Sequence, residues 1–188
     1  MATFKQKLYS EYPIPYRLSI WGGNGVEVVP VDDIDILVES CVDELASDVL
    51  ITAYIEASGM TVQMPEDTVT VTSAMLAGNF PFQGNRLVKV TYNKANNIAY
   101  LRYFPAVITY QRKLKVGDLD NLTGDRLIFT KCYCLWKMAE KELSILKTTN
   151  MTIDNGTVDF SVLESFRDKM FNKYQELKSE ILIYATVN

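Results

Sequence analysis

LVKVTYNKANNIAYLRYFPAVITYQRKL, residues 87–114, is the stretch on which the fold turns. Leu87 to Tyr92 and Ile98 to Phe104 are rich in strand-forming residues. Between them Asn93-Lys94-Ala95-Asn96-Asn97 supplies turn formers, so the two runs read as a hairpin. Ala106 to Leu114 continues as a third strand. Proline has no N–H to give to a ladder, so Pro105 predicts an edge or a bend rather than a central strand. Together these strands predict a small antiparallel sheet.

Upstream, Thr61 to Met64 and Thr68 to Thr72 read as short strands or extended arms, Ala74 to Gly78 as a helical turn, and Asn79 to Asn85 as a loop. Before them Ile34, Leu37, Val38, Cys41, Leu45 and Val49 recur at helical spacing, opened by Asp32 or Asp33, whose charge suits a helix N-terminus. Ile51 and Ile55 prolong the stripe and Gly59 stops it, which predicts a helix over 32–58. Cys41 lies in that stripe and reads as a packed core thiol. Residues 1–31 read as an irregular arm, broken by Pro13, Pro15, Pro30 and Trp21-Gly22-Gly23-Asn24-Gly25. The glycine cluster lacks the Lys-Ser/Thr of a phosphate loop and reads as a turn or an interface arm.

Downstream, Gly117 to Gly124 reads as a loop. Its Asp118, Asp120 and Asn121 begin a calcium pattern, but Leu122 stands where a third ligand is needed. A second helix is predicted over 125–147, with Leu127, Ile128, Leu135, Met138, Ala139, Leu143 and Leu146 on its apolar face and Trp136 beside it. Met151 to Phe160 reads as a short hairpin around Asn155-Gly156. Ser161 with Glu164 forms a capping box for a last helix, over 162–184. There Leu163, Phe166, Met170, Tyr174, Leu177, Ile181 and Tyr184 form one face, which reads as core packing on the second helix or as a seam against a partner helix. The fold class is therefore α+β: a single domain over 1–188, a three-helix bundle with a β-rich insertion at 61–115 and a short hairpin before the last helix.

The 188 residues include 19 basic and 23 acidic ones, a net charge of −4, with 48% apolar residues. That is the balance of a globular protein. Histidine is absent, which removes Ser-His-Asp triads, Cys-His pairs and histidine metal ligands. No nucleophile comes with an evident partner, and Glu140 and Glu142 point apart on their helix, so no enzyme and no cofactor is expected. Cys132 and Cys134 are about 200° apart around a helix and cannot share a metal. Three cysteines without Cys-x-x-Cys spacing suit a reducing cytosol. Met1 to Tyr16 has no apolar core of a signal peptide, and no run approaches the roughly 20 apolar residues of a membrane span.

Charge is segregated along the chain. Eleven acidic residues and no basic one lie between Leu18 and Asn85. Seven basic residues and no acidic one lie between Arg86 and Gly117: Arg86, Lys89, Lys94, Arg102, Arg112, Lys113 and Lys115. Three readings stay open. The basic strands lie against the acidic helix or face water. Alternatively, basic surface on one copy meets acidic surface on the next, as in a head-to-tail ring. Or the interleaved tyrosines and cations bind single-stranded nucleic acid.

Several runs together resemble a known family. They are Ala99-Tyr100-Leu101-Arg102-Tyr103-Phe104-Pro105-Ala106, then Gly117-Asp118-Leu119-Asp120-Asn121-Leu122-Thr123-Gly124-Asp125, then Trp136-Lys137-Met138-Ala139-Glu140-Lys141-Glu142-Leu143. With the Asp154-Asn155-Gly156 hairpin and the last helix, residues 99–184 are similar to neck or connector-type structural proteins of tailed bacteriophages. The resemblance implies a ring-forming virion subunit that joins portal to tail, made in the host cytoplasm. Its partners would be copies of itself, portal, neck or tail proteins, and packaged DNA by non-specific contact, with no membrane. A tail-completion or baseplate protein, or a nucleic-acid-binding module on strands 86–115, is the alternative. The seven basic residues, with Trp21 and Tyr110 as aromatic anchors, are the expected subunit interface.

Overall fold

The computed structural model describes residues 2–13, 20–21, 27–28, 32–77, 86–148 and 160–186. The glycine cluster at 22–25, the loop at 79–85 and the Asn155-Gly156 hairpin lie outside the described residues. The protein has both helices and antiparallel sheets and is α+β. The chain divides into two compact units. One, here the helical unit, comprises Met1–Leu45 and Lys115–Asn188; the other, the β unit, is Ala46–Leu114.

The helical unit begins with a helix, α1 (Phe4–Glu11), inside the arm expected to be irregular. The missed signal is local. Thr3 Oγ1 accepts from Gln6 N at 3.3 Å and Gln6 Oε1 accepts from Thr3 N at 2.9 Å, a reciprocal cap that satisfies two end donors. Phe4 and Leu8, four apart, are buried. Phe4 N also donates to Asp120 Oδ1 at 2.6 Å. A two-residue ladder follows, β1 (Ile20–Trp21) antiparallel to β2 (Glu27–Val28).

Helix α2 (Asp32–Leu45) buries Ile34, Leu37, Val38, Cys41, Val42 and Leu45 on one face. It ends at Leu45 rather than near 58, which corrects the predicted boundary. Ile51 and Ile55 belong to a strand. Positions four apart share a face at a period of 2 as well as at 3.6, so their spacing does not separate the two structures.

In place of the expected loop, Val116–Asn121 forms a 3-10 turn in which Lys115 N donates to Asp118 Oδ2 at 2.9 Å. Gly124, at φ +58°, starts α3 (Gly124–Thr148). Glycine takes up that left-handed backbone without the Cβ penalty that other residues meet. Helix α4 (Phe160–Thr186) takes Ser161, expected as its cap, into its first turn.

The expected packing of α4 on α3 is present among the described side chains. Tyr174 lies 5.0 Å from Phe129, 4.9 Å from Tyr133 and 5.9 Å from Trp136, ring centre to ring centre. Trp136 also meets Phe171 at 4.9 Å. Aromatic pairs at such distances add to the area they bury.

The β unit starts earlier than expected, with β3 (Leu50–Ala57), followed by β4 (Thr61–Gln63) and β5 (Thr68–Leu76). Ala74 to Leu76 belong to β5, which replaces the helical turn predicted there. The decisive stretch forms β6 (Leu87–Val88), β7 (Val90–Asn93), β8 (Ile98–Leu101) and β9 (Ala106–Lys113). The β7–β8 hairpin is as predicted, pairing Val90 with Leu101 and Asn93 with Ile98.

Two sheets result, ordered β3-β9-β5-β6 and β4-β8-β7. The run 87–93 serves both, interrupted at Lys89, and so does the run 98–113, interrupted by the Arg102–Pro105 bend. Pro105 thus occupies a bend, as its missing N–H requires. The strand after it is central, between β3 and β5, where an edge was the other expectation. Ala57, Met64, Ala74, Val88, Ala99, Leu101, Ala106, Ile108 and Tyr110 form the buried core.

Candidate interaction surfaces

Strand register divides the basic stretch. Ala57, Ala106 and Leu76 pair across one end of the four-stranded sheet. Leu76 N donates to the Arg86 carbonyl at 3.2 Å, and Ala77 N to the Pro105 carbonyl at 2.9 Å, so Arg86 and the Arg102–Pro105 bend belong to this end. Leu50, Lys113 and Arg112, with Thr68 across from Arg112, form the opposite end. The β7–β8 loop, which holds Lys94, joins that opposite end. Its Asn97 Nδ2 donates to the Met64 and Pro65 carbonyls at 2.7 and 3.1 Å, and Thr68 N donates to Pro65 at 3.0 Å. Lys89 lies between β6 and β7. One contiguous run in sequence is therefore two separate groups in space.

The first end couples cations to apolar side chains. Tyr103 is 56% exposed, Phe104 46% and Leu87 71%, and Met60 is exposed too. The Arg102 guanidinium sits 5.7 Å from the Tyr103 ring centre, within cation–π range. The second end is mixed in sign: Lys113 N donates to the Asp67 carbonyl at 3.2 Å, and Glu66 is exposed beside it. Arg112 is half-buried, with Nη1 donating to the Lys113 carbonyl at 3.1 Å.

Two expected interface residues are placed elsewhere. Tyr110 is only 6% exposed, facing the core from the central strand, so it cannot anchor a neighbour in this fold. The strand period dictates this, because Ala106, Ile108 and Tyr110 alternate onto one face. Lys115 belongs to the helical unit, ahead of the 3-10 turn. Trp21 lies in β1, and only its backbone is described. Sequence reading missed Met60 and Leu87 as surface residues, and it took up Tyr103 and Phe104 only as aromatics that could stack on nucleic acid. Both sit within two residues of Pro105, the proline that breaks the strand.

The helical unit carries a groove of about 410 Å³ between α2 and α3. Ile36, Leu37 and Glu44 line it from α2, and Lys137, Glu140 and Lys141 from α3. Ile36 is 61% exposed, an apolar residue off the buried stripe of α2. Lys137 Nζ pairs with Glu140 at 3.2 Å and stands 4.3 Å over the Trp136 ring. Glu44 accepts a hydrogen bond from the Tyr133 hydroxyl. Burial, and then that hydrogen bond, push the Tyr133 hydroxyl far above its ordinary range, so it stays protonated.

All three cysteines are buried and free. Burial raises Cys132, while a hydrogen bond with Cys41, then burial, raise Cys134, so both remain thiols. Among the described residues, no three His, Cys, Asp or Glu side chains converge as a metal site would require. No described helix is long and apolar enough to cross a membrane.

The chain matches no family model and no curated protein.

Net charge separates the two units. The β unit holds six basic and four acidic residues, a net of +2. The helical unit holds thirteen basic and nineteen acidic ones, a net of −6.

Proposed function

We propose that this chain is a structural subunit of a tailed-phage virion, a ring-forming neck or head–tail connector protein that joins portal to tail. The observation that carries the reading is the division of its surface. The β unit is net positive with apolar side chains turned outward, and the helical unit is net negative with an apolar-walled groove. A subunit in a closed ring must offer two different, mutually complementary surfaces, because each neighbour meets a different side. The resemblance of residues 99–184 to connector-type proteins supplies the virion setting and the portal and tail neighbours. A tail-completion or baseplate position uses the same surfaces. Packaged DNA remains a non-specific partner in this reading. The nucleic-acid module, by contrast, needs a continuous cationic track, and the division of the basic residues between two ends disfavours one.

Negative-stain microscopy of the full chain, beside its native mass over a range of salt, tests the reading. Closed rings are expected, with a mass that is an integer multiple of the monomer and that falls as salt screens the contact. A monomer at every concentration and salt would overturn the ring. Salt-dependent binding of a single-stranded oligonucleotide by that monomer would put the module in its place.

A further inference from the structure

We propose that the Arg102–Phe104 bend of one copy seats in the α2/α3 groove of a second copy. This inference rests on the self-assembling subunit proposed above and names the contact that builds it.

The bend has the composition of an interface anchor. Tyr103 and Phe104 are both about half exposed, and the bend is held at its ends by the Leu101 N to Met60 carbonyl bond of 2.8 Å and the Ala77 N to Pro105 carbonyl bond. A bend fixed at both ends loses little freedom on docking, which lowers the ordering cost of association. Aromatic residues beside arginine dominate the energetic centres of interfaces.

The groove has the matching character. Ile36 and Leu37 give it an apolar wall, and Ile36 leaves most of its surface to solvent. The charged lining is Glu44 from α2 with Glu140, Lys137 and Lys141 from α3, and Glu39 and Asp43 are exposed on α2 outside it. The rings would cover Ile36, and the Arg102 guanidinium would meet the exposed carboxylates of α2. Charge also favours the pairing at longer range, because a net-positive β unit approaches a net-negative helical unit. The two surfaces differ, so each copy keeps a free bend and a free groove after the first contact. That is the requirement for a ring or a filament.

Two single variants of the full chain test this, Ile36→Asp for the groove and Phe104→Asp for the bend. Both sites are exposed, and far-ultraviolet circular dichroism establishes that each variant is folded. Wild type is expected to assemble, and each variant alone to run as a monomer. Mixed in equal amounts, the variants should form a species of twice the monomer mass, because one retains the bend and the other the groove. A second measurement traps the contact. Ile36→Cys with Phe104→Cys, oxidised, should give covalent multimers.

The failures are distinguishable. Wild-type assembly that both variants leave intact would overturn this contact and spare the ring. A monomeric wild type with no dimer on mixing would overturn both. A disulfide confined to a single chain would assign the bend to its own groove and overturn the contact between copies.

Discussion

The helical unit hides most of its described aromatic side chains, Tyr9 excepted, whereas the β unit displays most of its own, with Tyr110 in the core. Phe129, Tyr133 and Tyr174 are buried, interlocked with Trp136 and Phe171 between α3 and α4. In the β unit Tyr54, Tyr100, Tyr103 and Phe104 are exposed. The cores explain the contrast. Alanines 57, 74, 99 and 106 make up much of the β core, and small side chains let two short sheets close on each other. Little volume is then left for rings, which go to the outer strand faces and the bend. Two long helices meet along a stripe that takes large side chains on both partners. The same residue types thus stabilise one unit and equip the other for contact.

Replacing Phe129 with Ala should sharpen that contrast most. It removes a fully buried ring from the α3/α4 cluster and should cost about 3–5 kcal/mol in urea unfolding followed by tryptophan fluorescence. Tyr103→Ala in the exposed bend should change the same measurement by less than about 0.5 kcal/mol. Equal effects would show that the bend is packed as tightly as the helix core.

A smaller loss is expected from Tyr12→Phe. The Tyr12 hydroxyl donates to the buried Glu142 carboxylate at 2.6 Å. Removing that donor should cost about 1–3 kcal/mol. Because the packing of Tyr12 on Phe166 survives in the variant, the change isolates the hydrogen bond.

The least visible effect at neutral pH belongs to Tyr133, and it emerges in alkali. In the folded helical unit its hydroxyl, like the Cys132 and Cys134 thiols, holds its proton above the ordinary values of 10.0 and 9.0. An unfolded chain releases those protons first and so binds fewer than the native one. Stability therefore falls as pH rises past about 9 and further past about 10. Thermal melts across that window should show the decline, and Tyr133→Phe should flatten it above pH 10. A slope unchanged in that variant would remove Tyr133 ionisation as a cause.

Much of the architecture was legible in particular residues. The Asn93–Asn97 turn announced the β7–β8 hairpin, and the spacing of Leu163, Met170 and Tyr174 announced the face of α4 that packs on α3. The misreadings have one source, short segments in which two periods coincide or a short element is easily passed over. Ile51 and Ile55 suited a helix as well as β3, while the Thr3–Gln6 cap of α1 was passed over among nearby prolines. The candidate surface was half legible. The seven cations were visible, but their division was not, because register between strands far apart in sequence places Arg86 with Arg102 and Arg112 away from both.

By itself the sequence determined the α+β class, the long helices α3 and α4, the hairpin, the segregation of charge and the absence of histidine chemistry. Each of these follows from local period, turn chemistry or composition. Only the tertiary structure decided that the chain divides into two units, that the face of β9 carrying Tyr110 is the one turned to the core, and that Ile36 borders a groove. Those outcomes depend on which distant segments pack together, and strand pairing and burial are set by long-range contacts that no local pattern encodes.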